Sequence, residues 1–460
     1  MGKRVLLVGV GVAMIVIVCA CRNSSLQSVV MPETLTPEVS LVSSEATAIG
    51  TATNMPTATD RPNETPMATV MPASTPAVTD IATATLTATD TATATPTATS
   101  TPFFPLGFMG PADETQFPHI AAAGFNVVFE FRSVQEIDEA EDYLNRAQAV
   151  GLKVIQNMPS CRAYESSNPV CEEWNAHVWS EAEWGEFISP LATHDNLVAW
   201  FLPDEIVNYA AAADLYRWVK AYDPHQRPVY GNPGTFELAK IARFPTFSDF
   251  LWAACYPEYY QEPRAIVTYG MKLDAMVSQG TDIRWGAILQ FFDSAEFGRG
   301  GGHPTAHELR ADSYQAIIAG ATGLWYFSYD LGRDMDGLWE ATVTIADEII
   351  GLGGLDEVIL SPAVPQKIVK TIVSGPSHSP PTQGEVYDSI QMLQKEHNGT
   401  YLFAVNIAAD GVVVEFSNLP VEAVAVEVLF ENRTIFVSDG SFQDSFAQDD
   451  VHIYHVITGI

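Results

Sequence analysis

The sequence predicts an α/β chain: a (β/α)8 barrel of parallel strands followed by an antiparallel β-sandwich, both preceded by a signal peptide and a disordered linker. Three observations carry that expectation. From Phe104 on, short apolar runs alternate with helical patterns eight times within about 250 residues, the count and length of a closed TIM barrel. Beyond residue 361 the pattern switches to short alternating strands with Gly, Asn and Pro turns, as in KIVKTIV, GTYLFAVNI, GVVVEFSNL and DVHIYHVI. Finally, NLVAWFLPDEI (Asn196 to Ile206) stays mostly apolar up to Pro203 and then delivers two adjacent carboxylates, Asp204 and Glu205. A parallel strand buried on both faces and acidic at its C-terminal end is how a barrel strand meets an active site. A doubly wound open sheet competes, but PLGFMGPADE lacks the Gly-rich first turn that would favour it.

Taken in order, the chain opens with Lys3 and Arg4, an apolar or small-residue run from Val5 to Val18, and then Val18-Cys19-Ala20-Cys21 before polar Arg22. The run is short for a transmembrane helix and fits a secretory signal. Its last four residues resemble a bacterial lipobox, which implies cleavage before Cys21 and lipidation of its thiol. An uncleaved signal anchor is the alternative, and either way the body is extracytoplasmic and tethered to a membrane. The signal thus spans 1–21 and a stalk spans 22–103. Within the stalk, residues 31–101 are Thr, Ala, Pro, Ser and Val with no periodicity of 2 or 3.6, so no core can form there. As a coil, about 70 residues reach roughly 45–50 Å.

The whole chain has 460 residues, 47% of them hydrophobic, and a formal net charge of −33. The first thirty residues hold three basic residues (Lys3, Arg4, Arg22) and residues 31–104 seven acids against Arg61, so nearly all the negative charge lies beyond residue 104. A body that acidic, with no basic stripe, repels phosphate backbones and excludes nucleic acid as a partner. Cys161 and Cys171 fall in one exported loop and are expected to form a local disulfide, while Cys255, in LWAACY, reads as a buried thiol. No C-x-x-C or H-E-x-x-H pattern supports zinc, no other cofactor is expected, and His303 and His307 lack a third ligand.

The barrel, 104–361, is expected to place its strands at 105–110, 125–131, 152–158, 197–202, 227–232, 249–256, 284–292 and 323–329. The sandwich takes 362–460, with Asn432-Arg433 as a tight turn. Chemistry in a barrel sits where strands end and βα loops begin. Those ends give Glu130 and Arg132, Asn157, Asp204 and Glu205, Asn232, Tyr256 and Glu258, Gln290 and Asp293, and Tyr329 and Asp330. Trp200, Trp252, Trp285 and Trp325 stand in or beside the strands. Carboxylates that protonate or attack, amides that bond hydroxyls and aromatic faces that stack on a ring together suit an oligo- or polysaccharide.

Here a resemblance is visible. W-F-L-P-D-E-I resembles the fourth-strand ending of clan A-type glycoside hydrolases, where an Asn-Glu or Asp-Glu pair carries the general acid/base. The order DE at 204–205, YP at 256–257, ILQFFD at 288–293, HPTAHELR at 303–310 and GATGLWYFSYD at 320–330 is similar to that of a group of bacterial glycoside hydrolase-like barrel proteins. VLFENR and GSFQDSFAQDDVHIY resemble their C-terminal sandwich. The resemblance implies hydrolysis of an O-glycosidic bond, with Glu205 as acid. Asp293 or Glu258 would be the second carboxylate. Asp204, Glu130, Asn157, Asn232, Tyr256, Gln290, Trp325 and Asp330 would hold the sugar. Two departures stand out: Gln290 occupies the strand-seven position of the nucleophilic Glu, where an amide cannot attack, and Ala254 stands where an Asp is common.

Each residue also has a purely structural reading. Asp204 or Glu205 would cap the next helix, Glu130 would be satisfied inside the barrel by Arg132 or Asn157, and Gln290 would bond backbone. Glu308 would form an ion pair with Arg310 or Arg299, and the tryptophans would be core. The 160–180 loop with Trp174 and Trp179 would cover the groove, and GRGGGHPT would be a mobile lid. Two functions follow: a monomeric, surface-anchored glycosidase, or a glycan-binding protein on a decayed hydrolase site.

Overall fold

A computed structural model describes residues 103–459 apart from 111–114, 131–135, 164–177, 207, 235–236, 261–265, 268–269, 271–272, 274–283 and 382–384. The leader with Cys21, the stalk up to residue 102, and Arg132, Cys171 and Trp174 lie outside the described residues, so the expected lipid anchor and disulfide do too. Among the described residues no helix is long and apolar enough to cross a membrane.

Eight strands close into a barrel in chain order: β1 (Leu106–Met109), β2 (Val127–Phe129), β3 (Lys153–Asn157), β4 (Leu197–Phe201), β5 (Val229–Gly231), β6 (Phe250–Cys255), β7 (Arg284–Gln290) and β8 (Leu324–Phe327). All neighbours are parallel, and Leu106 to Met109 pairing with Leu324 to Phe327 closes the ring. The main intervening helices are α1 (Gln116–Ala122), α2 (Ile137–Ala149), α3 (Glu181–Leu191), α4 (Tyr209–Tyr222) and α5 (Ala306–Ile318), with α6 (Leu338–Ile349) and α7 (Leu355–Leu360) after β8. Helices α2 to α4 each bury one apolar stripe, whereas α5 lies between barrel and sandwich and buries every residue from Leu309 to Ile317 but Arg310. In α2 the buried set is Ala140, Tyr143, Leu144 and Ala147, the i, i+3, i+4, i+7 spacing of a single helix face.

Strand alternation sorts side chains into two cores. Leu251, Ala253, Cys255, Leu324 and Tyr326 point outward to the helices, whereas Phe250, Trp252, Trp325 and Phe327 fill the interior. There Trp252 and Trp325 stack at 3.4 Å between centroids, and Phe129 stacks on Trp325 at 4.8 Å. Trp200 lies outside, donating Nε1–H to Asp223 at 2.9 Å, and Trp285 belongs to the same outer core. The barrel is therefore plugged beneath its mouth by aromatic rings.

The C-terminal region is a sandwich of two antiparallel sheets. A five-stranded sheet has the order β10 (Ile390–Glu396), β11 (Thr400–Asn406), β16 (Val451–Thr458), β13 (Ala423–Val428), β14 (Arg433–Phe436). A three-stranded sheet has the order β15 (Phe442–Phe446), β12 (Val412–Ser417), β9 (Val369–Ser374). Asn432 ends the β13–β14 turn with a left-handed φ of 49°, and Arg433 already belongs to β14. The sandwich is fastened to the barrel. Arg310 on α5 pairs with Glu348 on α6 at 3.1 Å and donates Nη1–H to the Val451 carbonyl at 3.1 Å. Lys395 reaches the Ser361 carbonyl at 2.8 Å, and one buried core runs from the barrel helices into Phe403, Val405 and Ile453.

Candidate active site

At the C-terminal mouth of the barrel a pocket of about 450 Å³, counting its open entrance, is lined by Asp204, Glu205, Asn232 and Tyr256 among otherwise apolar walls. Those walls are Met109, Ala254, Tyr259, Ile288, Phe292, Phe297 and Phe327. Five of the rings interlock: Phe292 stands 5.2 Å from Tyr256, 5.8 Å from Tyr259, 4.8 Å from Phe297 and 5.9 Å from Phe327. Ala254 lies on this wall, so the departure at that position leaves the pocket apolar where an Asp would make it acidic.

The β4 exit is built to hold two carboxyls in place. Helix α4 is capped by Asn208, whose Oδ1 accepts from Ala211 N at 3.1 Å, so neither Asp204 nor Glu205 is used as a cap. Asn232, 2% exposed at the end of β5, works in both directions. Its Oδ1 accepts from Gly234 N at 3.0 Å, which fixes the amide so that Nδ2 donates to Asp204 Oδ1 at 2.8 Å. Ile206 N donates to the Asn232 carbonyl at 3.3 Å, tying the two strand ends together. Glu205 sits at φ 48°, in the left-handed region, and a Cβ on Gly234 would come within 3.0 Å of its Cβ and Cγ. Glycine at 234 is the residue that leaves room for Glu205.

Electrostatics follow from this burial. The Asp204 carboxyl is pushed above its usual range by burial, against the Asn232 hydrogen bond that pulls it down. Burial and then the neighbouring Asp204 charge push Glu205 up to about 8. With its carboxyl raised to about 8, Glu205 keeps its proton at neutral pH, which is the state a general acid needs.

The other expected site residues lie elsewhere. Asp293 caps the short turn Ser294–Phe297, its Oδ1 accepting from Ala295 N at 2.8 Å, and does not line the pocket. Glu258, on the helical turn Pro257–Tyr260, is not a lining residue either; the charges that act on it are Glu308 and Asp449, behind the barrel wall. Gln290 braces the loops: Oε1 accepts from Tyr259 N at 2.9 Å, while Nε2 donates to Phe292 O at 3.1 Å, Ser294 Oγ at 3.2 Å and Gly302 O at 3.2 Å. Trp325 is fully buried in the plug beneath the pocket. Asp330 accepts from Gln116 Nε2 at 2.6 Å and lies 4.0 Å from Arg333. Glu130 and Asn157 end β2 and β3, where Gln156 Nε2 bridges the Glu130 carboxylate and the Asn157 carbonyl at 3.3 and 3.1 Å.

The remaining loop expectations resolve similarly. Glu308 closes a capping box with Thr305 in place of an ion pair, and Arg299 stacks on Tyr259 at 4.3 Å. The GRGGGHPT segment is pinned through Gly302 O, which accepts from Ser294 N at 2.9 Å as well as from Gln290. Trp179 packs on Trp184 of α3 at 4.9 Å. His307 bonds the Gln448 carbonyl at 3.1 Å, and among the described residues no cluster of His, Cys, Asp and Glu is placed to hold a metal. Sequence reading missed Met109, Phe292, Phe297 and Phe327 as pocket walls. Strand parity carried the signal at one of them, since Ile288, Gln290 and Phe292 alternate onto one side.

No protein-family model and no curated protein sequence matches the chain. Solved structures do. An α-amylase from Geobacillus thermoleovorans complexed with acarbose aligns at 10% identity with a TM-score of 0.50, over 75% of this chain and 92% of the amylase. A GH27 β-L-arabinopyranosidase from Geobacillus stearothermophilus complexed with arabinose gives 11% identity and a TM-score of 0.53, over 78% and 98%. A further structure described as a glycoside hydrolase gives 15% identity and 0.51, over 78% and 93%. At such identities the likeness is one of fold: a closed eight-stranded parallel barrel with C-terminal antiparallel sheets, the architecture of these glycoside hydrolases.

Proposed function

We propose that this chain hydrolyses an O-glycosidic bond, with Glu205 as general acid and then general base. The observation that carries the reading is the placing of Glu205, beside an Asp204 locked by Asn232, in a concave aromatic pocket at the mouth of the barrel, where burial pushes its carboxyl up to about 8. A carboxylic acid that stays neutral at pH 7 donates its proton to a departing glycosidic oxygen, and the carboxylate it leaves behind then activates water. Tyrosine and phenylalanine faces suit the apolar side of a sugar ring. The acarbose and arabinose bound by two of the structural neighbours support a saccharide here. The leader supports export and attachment through Cys21, with the stalk as tether and the body as a monomer.

The test is turnover of the full chain on a panel of aryl glycosides and oligosaccharides, with Glu205→Gln in parallel. Cleavage that the substitution abolishes establishes the activity and its acid. The second reading, glycan capture without cleavage, has its own observation: neither Asp293 nor Glu258 lines the pocket, and Gln290 is committed to backbone. Binding without turnover, unchanged in Glu205→Gln, would select it.

A further inference from the structure

Two of the pocket's aromatic walls, Tyr256 and Tyr259, stand on one short stretch of chain, directly after β6 and on the turn Pro257–Tyr260. The turn is held through its backbone. Gln290 Oε1 accepts from Tyr259 N at 2.9 Å, and Gly301 packs so closely that a β-carbon there would lie 2.2 Å from the Glu258 carbonyl oxygen. The Glu258 side chain does not line the pocket, and its Oε2 is buried without a hydrogen-bond partner. Asp312 on α5 is 4% exposed and, among the described residues, makes no hydrogen bond or ion pair. Helical spacing, i and i+4, puts Glu308 on the same face of α5. From the sandwich, Asp449 in the β15–β16 turn, at a left-handed φ of 60°, adds its charge. The buried Cys255 thiol faces Asp312 from the end of β6. The basic groups on α5 and the loop before it are engaged elsewhere. Arg310 holds Glu348 and the Val451 carbonyl, His307 the Gln448 carbonyl and, at 3.6 Å, Asp450, and Arg299 covers the Tyr259 ring. A buried carboxyl that no donor reaches keeps its place as the neutral acid, and as an anion it draws toward water.

We infer that Glu258 and Asp312 are proton-dependent positioning residues: protonated, they seat the turn that carries Tyr256 and Tyr259, and ionised, they release it and open the joint between barrel and sandwich. The only bonds made and broken are O–H bonds, with the proton taken from and returned to solvent. Burial, and behind it the charges of Glu308 and Asp449, raises the Glu258 carboxyl from 4.5 to about 7. Burial, then the charges of Glu258, Asp449 and Glu308, raises Asp312 well above its usual range. Both shifts have one sign. They favour the seated turn in full below about pH 4.5 and lose that hold as pH rises through about 7. The pocket therefore keeps its two tyrosine walls in acid and gives them up in mild alkali. The consequence for substrate affinity rests on the saccharide reading; the release of the turn does not.

The experiment is hydrogen exchange of the full chain, corrected for the intrinsic rate at each pH and read on residues 256–260 and 447–450, with β3 as internal reference. For one carboxyl displaced from 4.5 to about 7, linkage gives about a tenfold loss of protection between pH 6 and pH 8. Expected is a loss of at least that size in both segments and none in β3. It should shrink severalfold in each of Glu258→Gln and Asp312→Asn and vanish in the double variant. Asp449→Asn, which tolerates the left-handed backbone, should reduce it by a smaller factor. In turnover of a nitrophenyl glycoside, KM should rise about tenfold over the same interval in the unaltered protein and stay flat in Glu258→Gln with Asp312→Asn, while kcat keeps one profile in both. Protection indifferent to pH in the unaltered chain, or lost equally in either single variant, overturns the proposal. A chain that cleaves no glycoside overturns the hydrolase reading alone, because the exchange result decides the turn without a substrate.

Discussion

Two pairs of carboxyls in this molecule are raised for the same leading cause, burial, and their surroundings differ. Asp204 and Glu205 stand at the mouth, where the displaced proton faces a pocket a ligand can enter. Glu258, on the turn after β6, raises Asp312 of helix α5, and Glu308 and Asp449 add like charge to both. Asp312 is only 4% exposed, and its neighbours bring the first turn of α5 and the β15–β16 turn of the sandwich against it. A perturbed carboxyl is thus a poor marker of chemistry until access is considered. The pair at the mouth has access; the pair behind the wall is a local weakness of the joint between barrel and sandwich.

Several substitutions would break or sharpen that contrast. The largest effect belongs to Glu205→Gln, expected to lower kcat about 100- to 10,000-fold while the melting profile is kept. In the unaltered protein the acid must be protonated to act, so kcat should hold below pH 8 and fall as pH rises through about 8, where Glu205 ionises. A flat profile to pH 9 would remove Glu205 from the role. Next comes Gln290. Gln290→Ala removes one hydrogen bond each from Tyr259 N, Phe292 O, Ser294 Oγ and Gly302 O in a buried site and should cost about 2–4 kcal/mol by denaturant titration. Gln290→Glu, which supplies the carboxylate a retaining barrel would use, faces the Phe292 and Gly302 carbonyls without a donor. It should destabilise similarly and gain no turnover.

Behind the wall the sign reverses. The Glu258 carboxyl rises from 4.5 to about 7 on folding, so the folded protein binds the extra proton between those values. Its contribution is fully present below about pH 4.5 and is lost as pH rises through about 7. Glu258→Gln should therefore stabilise by about 1–3 kcal/mol at pH 8, change little at pH 4.5, and leave kcat unaltered. Equal effects at both pH values would show that burial and the charges of Glu308 and Asp449 do not press on it. The smallest effect is expected from Asp293→Ala, which removes the cap on Ala295 N: about 1 kcal/mol in stability and no change in kcat.

Much of the architecture was legible because it is written in runs. Eight apolar strands and the amphipathic spacing of helices such as α2 depend on local pattern, and the closed barrel and the antiparallel sheets are built from such runs. The strand-four ending was legible for the same reason, since Leu197 to Glu205 is one uninterrupted stretch. Orientation was not. Strands buried on both faces show no polar and apolar alternation, so nothing local distinguished Trp252 and Trp325, inside, from Trp200 and Trp285, outside. Gln290 was opaque for another reason. Its partners Tyr259, Ser294 and Gly302 come from two different loops, and only the closed barrel brings them to one amide. Glu258 sits on a four-residue turn, where each step rotates a side chain by about 100° and decides whether it meets the pocket or the rear wall.

The left-handed backbone at Glu205 has a consequence for the protein's history under selection. A β-carbon in that conformation is held against about 1–2 kcal/mol of local preference, and here it also carries a carboxyl away from water. Asn or Gly at 205 would relieve both. A randomised library at this codon, enriched only for survival of heating, should discard Glu205 within a few rounds, whereas enrichment for turnover should return it. The position where heat resistance and catalysis disagree would then have been found by the population itself.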